Sequence, residues 1–383
     1  MNKQKTIRIL LTGGGSGGHV YPLLAVAEEL RRLTKEQSIN LELSYMGPSD
    51  EYKELLVGNG IGTYGVISGK IRRYASLENI LDVPKFFIGF LQALLKMLWI
   101  MPDAIFSKGG TGALPVVLAG WFYRIPVIIH ESDASPGMTN LLSSRFAARI
   151  AVSFERALNY FNPKKTALIG TPIRREVLED RLPSEEAKER LGFEPEKPLV
   201  LVIGGSQGSE RINEFVLANL ADLIKETQVL HQTGKANYEE VEKLSKAALT
   251  GASLKTAEKI RYQAVPYLEN NVNIALAAAD LVVARAGSGT IFEISAFGKP
   301  AILIPLQESA NDHQKINAYE FSRSGGAVVI EEPNLLPGIF INQVKVILKD
   351  SVLLQKMSAA SAQFFKPGAA EIIAKELLRI AQQ

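Results

Sequence analysis

The sequence contains no cysteine, which excludes disulfides, thiol nucleophiles and cysteine-ligated zinc or iron–sulfur centres. It also has little net charge, because 43 Lys and Arg face 40 Asp and Glu. A formal charge of +3 gives no field of the kind that attracts nucleic acid. With only four histidines and no H-E-x-x-H spacing, we expect no metal site, and we expect no cofactor and no nucleic-acid partner.

The sequence also lacks an uncharged apolar run long enough to span a membrane, which takes about 20 residues. The first residues have neither the long apolar region nor the cleavage site of a signal peptide, and we expect them to form a strand. The most apolar segment, 83–101, contains Lys85, Gln92 and Lys96. We expect a helix that lies either on a core or on a membrane surface. The apolar side chains that favour the membrane surface are Phe86, Phe87, Phe90, Leu91, Leu94, Leu98 and Trp99, and the flanking basic residues are Lys70, Arg72, Arg73, Lys85 and Lys96.

A chain of 383 residues suits two domains, and its apolar runs alternate with helical patterns as βαβ units do. A charged segment with three prolines, 174–198, separates two sets of predicted strands. The first set is 7–12, 41–46, 104–107, 127–130, 150–152 and 166–169; the second is 199–203, 228–232, 260–264, 281–284, 301–304 and 327–330. The pattern predicts an α/β protein with two doubly wound parallel sheets.

Each half begins with a strand, a glycine-rich turn and a helix, in TIRILLTGGGSGGHVYPLL and KPLVLVIGGSQGSERIN. Such a turn directs backbone N–H groups and the positive end of a helix dipole to one point, which suits a phosphate or diphosphate. Gly13, Gly15 and Gly18 also fit the nicotinamide-binding pattern. The second strand ends in Tyr45-Met46-Gly47, however, without the acid that would hold a ribose, and this disfavours a nicotinamide oxidoreductase.

The four histidines fall at the ends of predicted strands or in turns, at 19, 130, 231 and 313. Open α/β sheets bind ligands beyond the carboxyl ends of their strands, so we expect at least three of the four to face a common cleft. A third glycine-rich turn, RAGSGTIFE, places Glu293 in the first or second turn of a helix. There it either complements the helix dipole, by about 0.3–1 kcal/mol, or accepts the hydroxyls of a ribose.

Seven segments, in this order and spacing, resemble the MurG family, which transfers N-acetylglucosamine from its UDP derivative to lipid I and so makes lipid II for peptidoglycan. They are GGGSGGHVYPLLAVA, IPVIIHESD, IGTPIR, VIGGSQGS, HQTGK, ARAGSGTIFEI and DHQKINA. The resemblance implies the glycosyltransferase B architecture, two Rossmann-like domains facing across a cleft. It assigns 1–172 with 366–383 to an acceptor- and membrane-facing domain, and 173–365 to a UDP-sugar domain.

The resemblance also implies roles for individual residues. The donor-binding set is Ser16, Gly17, Gly18, Asp133, Arg174, Ser206, Gln207, Leu268, Gly287, Glu293, His313, Gln314 and Asn317. Within it, Glu293 would hold the ribose and the backbone near Leu268 would bind uracil. The acceptor-binding set is Gly14, Gly15, His19, Gly109 and Gly110. The chain departs from the family at Asp133, where Asn is usual, and at Thr111, where Tyr is usual.

Forming a β-linkage from an α-linked sugar nucleotide requires inversion, with one general base on the acceptor hydroxyl. His19 is the first candidate for this base, and Glu131 and Asp133 are its rivals. The implied partners are UDP-N-acetylglucosamine, a polyprenyl-diphosphate-linked muramoyl peptide and the anionic cytoplasmic face of the bacterial plasma membrane. Two alternatives stay open: a related transferase that acts on diacylglycerol, and a non-catalytic protein that binds sugar nucleotides or lipid diphosphates.

Overall fold

The structure, a computed structural model, describes residues 6–48, 52–69, 77–179, 181–205, 207–251, 260–268 and 271–383. Lys70, Arg72, Arg73 and Ser206, which the sequence singled out, lie outside the described residues. The chain divides into two compact units. Unit 1 comprises residues 1–175 and 366–383, and unit 2 comprises residues 176–365.

The described part of unit 1 contains one parallel sheet. Its strands are β1 (Thr6–Thr12), β2 (Asn40–Gly47), β3 (Gly62–Gly65), β4 (Ala104–Ser107), β5 (Val127–Glu131), β6 (Arg149–Val152) and β7 (Thr166–Leu168). Its helices are α1 (Gly17–Glu36), α2 (Lys53–Gly58), α3 (Leu77–Ile100), α4 (Ala113–Phe122) and α5 (Met138–Ser143), and α6 (Arg175–Leu178) begins at its boundary. The strand order is β3-β2-β1-β4-β5-β6-β7, so the order reverses direction at the first strand.

Unit 2 repeats this plan. Its described strands are β8 (Leu199–Ile203), β9 (Gln228–Gln232), β10 (Tyr262–Val265), β11 (Leu281–Ala284), β12 (Ala301–Leu303) and β13 (Ala327–Val329). Its described helices are α7 (Ser184–Arg190), α8 (Glu210–Ala218), α9 (Leu220–Glu226), α10 (Tyr238–Gly251), α11 (Val272–Ala278), α12 (Ser288–Ala296), α13 (His313–Arg323), α14 (Pro337–Lys349) and α15 (Ser351–Phe364). The order β10-β9-β8-β11-β12-β13 again places the first strand at the reversal of strand order, where open α/β sheets bind their ligands.

The predicted fold class is confirmed, and every predicted strand is present with ends within two residues of those expected. Strands such as β8 and β11 are buried along their whole length, because helices cover both faces of a parallel sheet and select continuous apolar runs. The sequence analysis missed β3. This short edge strand contains two glycines and is largely exposed, so no apolar pattern marks it.

The helix after unit 2, α16 (Ala369–Ala381), belongs to unit 1 and packs against α1. Ile373, Leu377 and Leu378 are buried in the same core cluster as Leu23 and Leu30 of α1. Burying each such side chain contributes about 1.5–3 kcal/mol, so the core of unit 1 depends on residues from both ends of the sequence.

Helix α3 is buried on one face only. Ala93 and Met97 lie in the core of unit 1, with Phe90 and Leu94 packed against them. The opposite face is exposed and apolar, and its most exposed members are Trp99 at 88% and Leu95 at 65%. The other large exposed side chains of this face are Val83, Phe87, Ile88, Leu91 and Leu98.

The exposure of α3 corrects the sequence analysis, which placed Phe90 and Leu94 on the membrane-facing surface. A helix that is apolar all round does not reveal from its sequence which side faces the core. Among the described residues, α3 is the one helix whose length and composition would allow it to cross a membrane. Its packed face nevertheless holds it along the surface of unit 1.

Candidate active site

His19 lies in the first turn of α1, directly after the glycine-rich turn that follows β1. Ser16 is the N-cap of this helix, and its Oγ is hydrogen-bonded to His19 Nδ1 at 2.7 Å. A Cβ on Gly14 would lie 2.9 Å from that same nitrogen. The imidazole is therefore held against the turn by its own helix start.

The turn after β4 closes the other side of the imidazole. Gly110 has φ +83°, and a Cβ there would lie 2.8 Å from His19 Nε2. Gly109 has φ +77°, and a Cβ there would lie 2.5 Å from Asn140 Oδ1. Because β1 and β4 are neighbours in the sheet, the structure brings Gly14, Gly109, Gly110 and His19 together, as the sequence analysis expected for an acceptor site. Gly15 and Gly18 of the same loop are exposed.

The electrostatic setting of His19 favours a neutral ring. Burial lowers the pKa of His19 to about 4, with Lys108 adding to the effect and Asp133 opposing it. The imidazole is then unprotonated at neutral pH, as a general base must be. Lys108, which the sequence analysis missed, is only 2% exposed, and burial lowers its pKa. The sequence around Lys108 gives no indication that this lysine is buried near His19.

Glu131 and Asp133 occupy the turn after β5. Glu131 is buried, and its carboxylate accepts hydrogen bonds from the backbone of Asp133 at 2.9 Å, from the backbone of Gly137 at 3.1 Å and from Asn140 Nδ2 at 3.0 Å. Burial raises the pKa of Glu131, and the negative charge of Asp133 raises it further. Glu131 thus organises its own loop, and a role for it as a base stays a prediction.

Two histidines that were expected to face a common cleft lie in the cores instead. His130 is fully buried, with Nε2 2.9 Å from the carbonyl of Gly170. His231 is fully buried between Tyr262 Oη and Asn213 Oδ1, at 2.9 and 3.0 Å. The prediction that at least three histidines face a cleft is therefore wrong. Position at a strand end does not fix the direction of a side chain, which alternates along the strand.

In unit 2, the turn between β8 and α8 interlocks with the turn after β9. A Cβ on Gly208, which has φ +82°, would lie 2.1 Å from the carbonyl oxygen of Thr233. A Cβ on Gly234 would lie 2.4 Å from the carbonyl oxygen of Gln207. Only glycine fits at these two positions. The first turn therefore rests on the second, and the side chain of Gln207 is left exposed.

Gln232 connects this turn to the segment predicted to bind uracil. Its Nε2 donates to the carbonyl of Gly205 at 2.9 Å, and its Oε1 accepts from the backbone N–H of Leu268 at 3.3 Å. Leu268 is buried, and its backbone N–H is used in this hydrogen bond; its contact with uracil stays a prediction.

The turn after β11, RAGSGTIFE, lies beside the turn after β8 because β8 and β11 are paired. Gly287 is the N-cap of α12, and Glu293 lies in the second turn of that helix, partly exposed. Asn317 is fully buried, and its Nδ2 donates to the carbonyl of Ala286 at 3.3 Å. This hydrogen bond helps to hold the turn at Ala286 in place.

The start of α13 is defined by its backbone and by Gln314. Asn311 and Asp312 both have positive φ, at 56° and 53°, and His313 follows them as the first helical residue. Gln314 Oε1 accepts from the backbone of Leu306 at 3.1 Å. Strained backbone in non-glycine residues is typical of functional loops.

Arg174, predicted to bind the donor, lies in unit 1 with its guanidinium 4.9 Å from the centre of the Tyr21 ring. Ser16 and Gly17 lie at the start of α1 beside His19. Among the residues that the structure describes, no three His, Asp or Glu side chains are grouped so that they could hold a metal ion. The ligand contacts of the predicted donor and acceptor residues stay predictions.

Comparisons with known proteins cover nearly the whole chain. Residues 9–152 match the glycosyltransferase family 28 N-terminal domain, and residues 199–373 match the glycosyltransferase family 28 C-terminal domain. A Bacillus cereus protein named UDP-N-acetylglucosamine–N-acetylmuramyl-(pentapeptide) pyrophosphoryl-undecaprenol N-acetylglucosamine transferase 2 is 38% identical over 88% of this chain and 90% of its own. A Clostridium kluyveri protein named as a transferase of the same kind is 36% identical over 93% of this chain and 96% of its own.

Solved structures agree in fold. The crystal structure of Acinetobacter baumannii MurG has a TM-score of 0.75 and 27% identity, and covers 97% of this chain and 99% of its own. A UDP-GlcNAc 2-epimerase from Neisseria meningitidis has a TM-score of 0.67 at 14% identity, covering 97% of this chain and all of its own, which shows a shared fold alone.

Proposed function

The chain belongs to the family of UDP-N-acetylglucosamine–N-acetylmuramyl-(pentapeptide) pyrophosphoryl-undecaprenol N-acetylglucosamine transferases, and we propose that it transfers N-acetylglucosamine from UDP-N-acetylglucosamine to the 4-hydroxyl of the N-acetylmuramoyl pentapeptide of lipid I. The observation that carries the proposal is the identity of 36–38% along about nine-tenths of these relatives. The product is lipid II, the precursor of peptidoglycan.

The donor is proposed to bind to unit 2. The helices α8 and α12 follow the paired strands β8 and β11 after short turns, so the positive ends of the two helix dipoles lie at the same edge of the sheet. They would bind the diphosphate and stabilise the charge on the leaving UDP without a metal ion. Glu293 would accept the ribose hydroxyls, and His313 and Gln314 would contact the sugar.

The acceptor is proposed to bind to unit 1. The start of α1 and the glycine turns at 13–15 and 109–110 would hold the lipid diphosphate. His19, neutral at working pH, would take the proton from the 4-hydroxyl as that oxygen attacks the anomeric carbon from the side opposite to UDP. One displacement of this kind inverts the α-linked donor to a β-linked product.

The function is tested by incubating the protein with a soluble lipid I analogue and, separately, with UDP-N-acetylglucosamine, UDP-glucose or UDP-galactose. We expect UDP release and a disaccharide product with UDP-N-acetylglucosamine at least tenfold faster than with the other donors, since a site that hydrogen-bonds a substrate group discriminates strongly against analogues that lack it, by roughly 10-fold or more. Turnover only with diacylglycerol would replace this function with a glycolipid synthesis. If no UDP appears with any pair, the protein is a binding protein and the proposal fails.

The same function requires contact with a membrane, because a polyprenyl-diphosphate acceptor stays in the bilayer. We propose that the exposed face of α3 provides this contact at the cytoplasmic surface, with Trp121 and Phe122 of the adjacent α4, which are 57% and 61% exposed. Lys85 at the edge of this face is exposed, with its Nζ 3.7 Å from Asp82 Oδ1, and would meet anionic lipid, adding about 1 kcal/mol. Lys96 instead donates to the carbonyl of Gly65.

We expect the wild-type protein to sediment with anionic vesicles and to be released by salt, and a Phe87→Ser, Leu91→Ser double variant to bind at least tenfold more weakly. Each side chain contributes about 1.5 kcal/mol or more when it leaves water. Both are exposed, so the variant should melt at the wild-type temperature.

A matched control for this experiment is Leu336→Ser with Val352→Ser, two exposed apolar side chains of unit 2. It should leave vesicle binding unchanged. Equal loss in both double variants, or a wild-type protein that stays in the supernatant at low salt, would place the membrane contact elsewhere.

A further inference from the structure

Arg285 is a buried arginine between the two glycine-rich turns of unit 2. It directly follows β11 and is only 7% exposed. Its Nη2 donates to Ser209 Oγ at 2.8 Å, and its Nη1 donates to the carbonyl of Ile304 at 3.2 Å. Since β8, β11 and β12 are successive strands in the sheet, the planar guanidinium bridges from the turn after β8 to the end of β12.

Ser209 connects Arg285 to the start of α8. It is the N-cap of α8, and its Oγ also accepts from the backbone of Ile212 at 3.4 Å. A Cβ on Gly204 would lie 2.6 Å from the backbone nitrogen of Ser209, so the turn is closed tightly against its own cap. A shift of Ser209 would therefore move the start of α8 relative to the turn at 285–287.

The charges around Arg285 are poorly suited to stability alone. A cation beside the N-terminus of α8 opposes the helix dipole, whose positive end lies there. Glu332, buried to 8% exposure, pairs with Arg285 at 2.5 Å and also with Arg211 at 2.5 Å. Glu332 is thus shared by two cations, and Glu210 is the acid in the first turn of α8. A bound anion at the adjoining turns would add negative charge beside the buried Arg285.

We propose that Arg285 is a positioning residue for the donor diphosphate. Through its bridge from Ser209 to Ile304, Arg285 fixes the spacing between the start of α8 and the turn at 285–287. The inference rests on the donor site proposed above. The bridge requires two donors in a fixed plane, which lysine does not provide. The diphosphate would contact both turns directly, whereas uridine would contact Glu293 and the backbone near Leu268, so a change in this spacing should weaken UDP binding more than uridine binding.

The test is to measure UDP binding by calorimetry and uridine binding by NMR titration, for wild type and Arg285→Lys. We expect the variant to bind UDP at least about 10-fold more weakly, and uridine within about twofold of wild type. Ser209→Ala should shift the UDP-to-uridine ratio in the same direction, and it answers the question if Arg285→Lys does not fold.

Arg261→Lys is the matched control. Arg261 is also a largely buried arginine that donates to a carbonyl, that of Ile224 at 3.0 Å, but it lies before β10, at the end of the sheet where strands begin. It should leave both affinities unchanged. Wild-type UDP affinity in Arg285→Lys, or equal losses for UDP and uridine, would overturn the inference. A wild-type protein that binds no UDP would instead refute the proposed donor site.

Discussion

Replacing His19 with Ala is expected to lower kcat by about two to four orders of magnitude at saturating acceptor, while UDP binding is unchanged. The ring is the one imidazole held between the glycine turns of unit 1, and α8 and α12, which would bind UDP, are in unit 2. The measurements are steady-state kinetics with a lipid I analogue and calorimetry with UDP. An unaltered kcat would remove His19 from the site.

The pH profile adds a second criterion for His19. Since the pKa of His19 is lowered to about 4, the ring loses its proton-accepting form only as the pH falls through about 4. Wild-type kcat/KM should therefore be level from neutral pH down to about 5. A fall centred near the ordinary histidine pKa, about 6.5, would contradict this assignment.

Two further variants separate the possible roles. His19→Gln fills the space between Gly14 and Gly110 and keeps a hydrogen-bonding group, but it does not accept a proton. If it restores kcat, His19 orients the acceptor and the base is another group. Glu131→Gln then becomes decisive, because burial and the charge of Asp133 raise the pKa of Glu131 and make its carboxylate a stronger base.

Replacing Glu293 with Ala is expected to raise the KM for UDP-N-acetylglucosamine and to weaken UDP binding by roughly 10- to 150-fold. Hydrogen bonds between a carboxylate and two ribose hydroxyls are worth roughly 1.5–3 kcal/mol. Glu293 lies in the second turn of α12, beyond the first turn where an acid complements the dipole best. The interaction of Glu293 with the helix dipole would therefore contribute little to stability.

Two controls test the role of Glu293, one with an altered ligand and one with a substitution at another acidic residue. UDP and 2′,3′-dideoxy-UDP should bind the Glu293→Ala variant equally, whereas the wild type should prefer UDP. Glu226→Ala, a surface acid of unit 2 that pairs with Lys349 at 2.9 Å, should bind UDP as the wild type does. If UDP affinity in Glu293→Ala equals that of wild type, the carboxylate is only a charge on the helix.

Much of the fold follows from sequence because its strands are short apolar runs that end in glycine-rich turns. β8 and β11 have the predicted ends because burial on both faces leaves no polar position inside them. β3 was not predicted, because it is a strand through its hydrogen bonds to β2 and not through an apolar pattern of side chains. The sequence singled out Gly14 and Gly110, whose backbones lie against His19, but it gave no indication of the buried Lys108.

Side-chain direction is what the sequence analysis could not supply. His130 and His231 turn into the cores, and the buried pair of Arg285 and Glu332 joins residues 47 positions apart. Neither arrangement leaves a periodic trace in the sequence. The two faces of α3 are equally ambiguous, because only the packing of Phe90 and Met97 shows which side is inward.

The position of α16 has a consequence for biosynthesis. Leu377 and its neighbours complete the core of unit 1, yet they follow all of residues 176–365 in the chain. At a synthesis rate of roughly 5–20 residues per second, on the order of ten seconds pass between emergence of β7 and of α16 from the ribosome. During that interval the apolar side of α1 that receives α16 is uncovered. The second half of the protein is therefore able to finish folding first, and the nascent first half is the part that needs protection from aggregation.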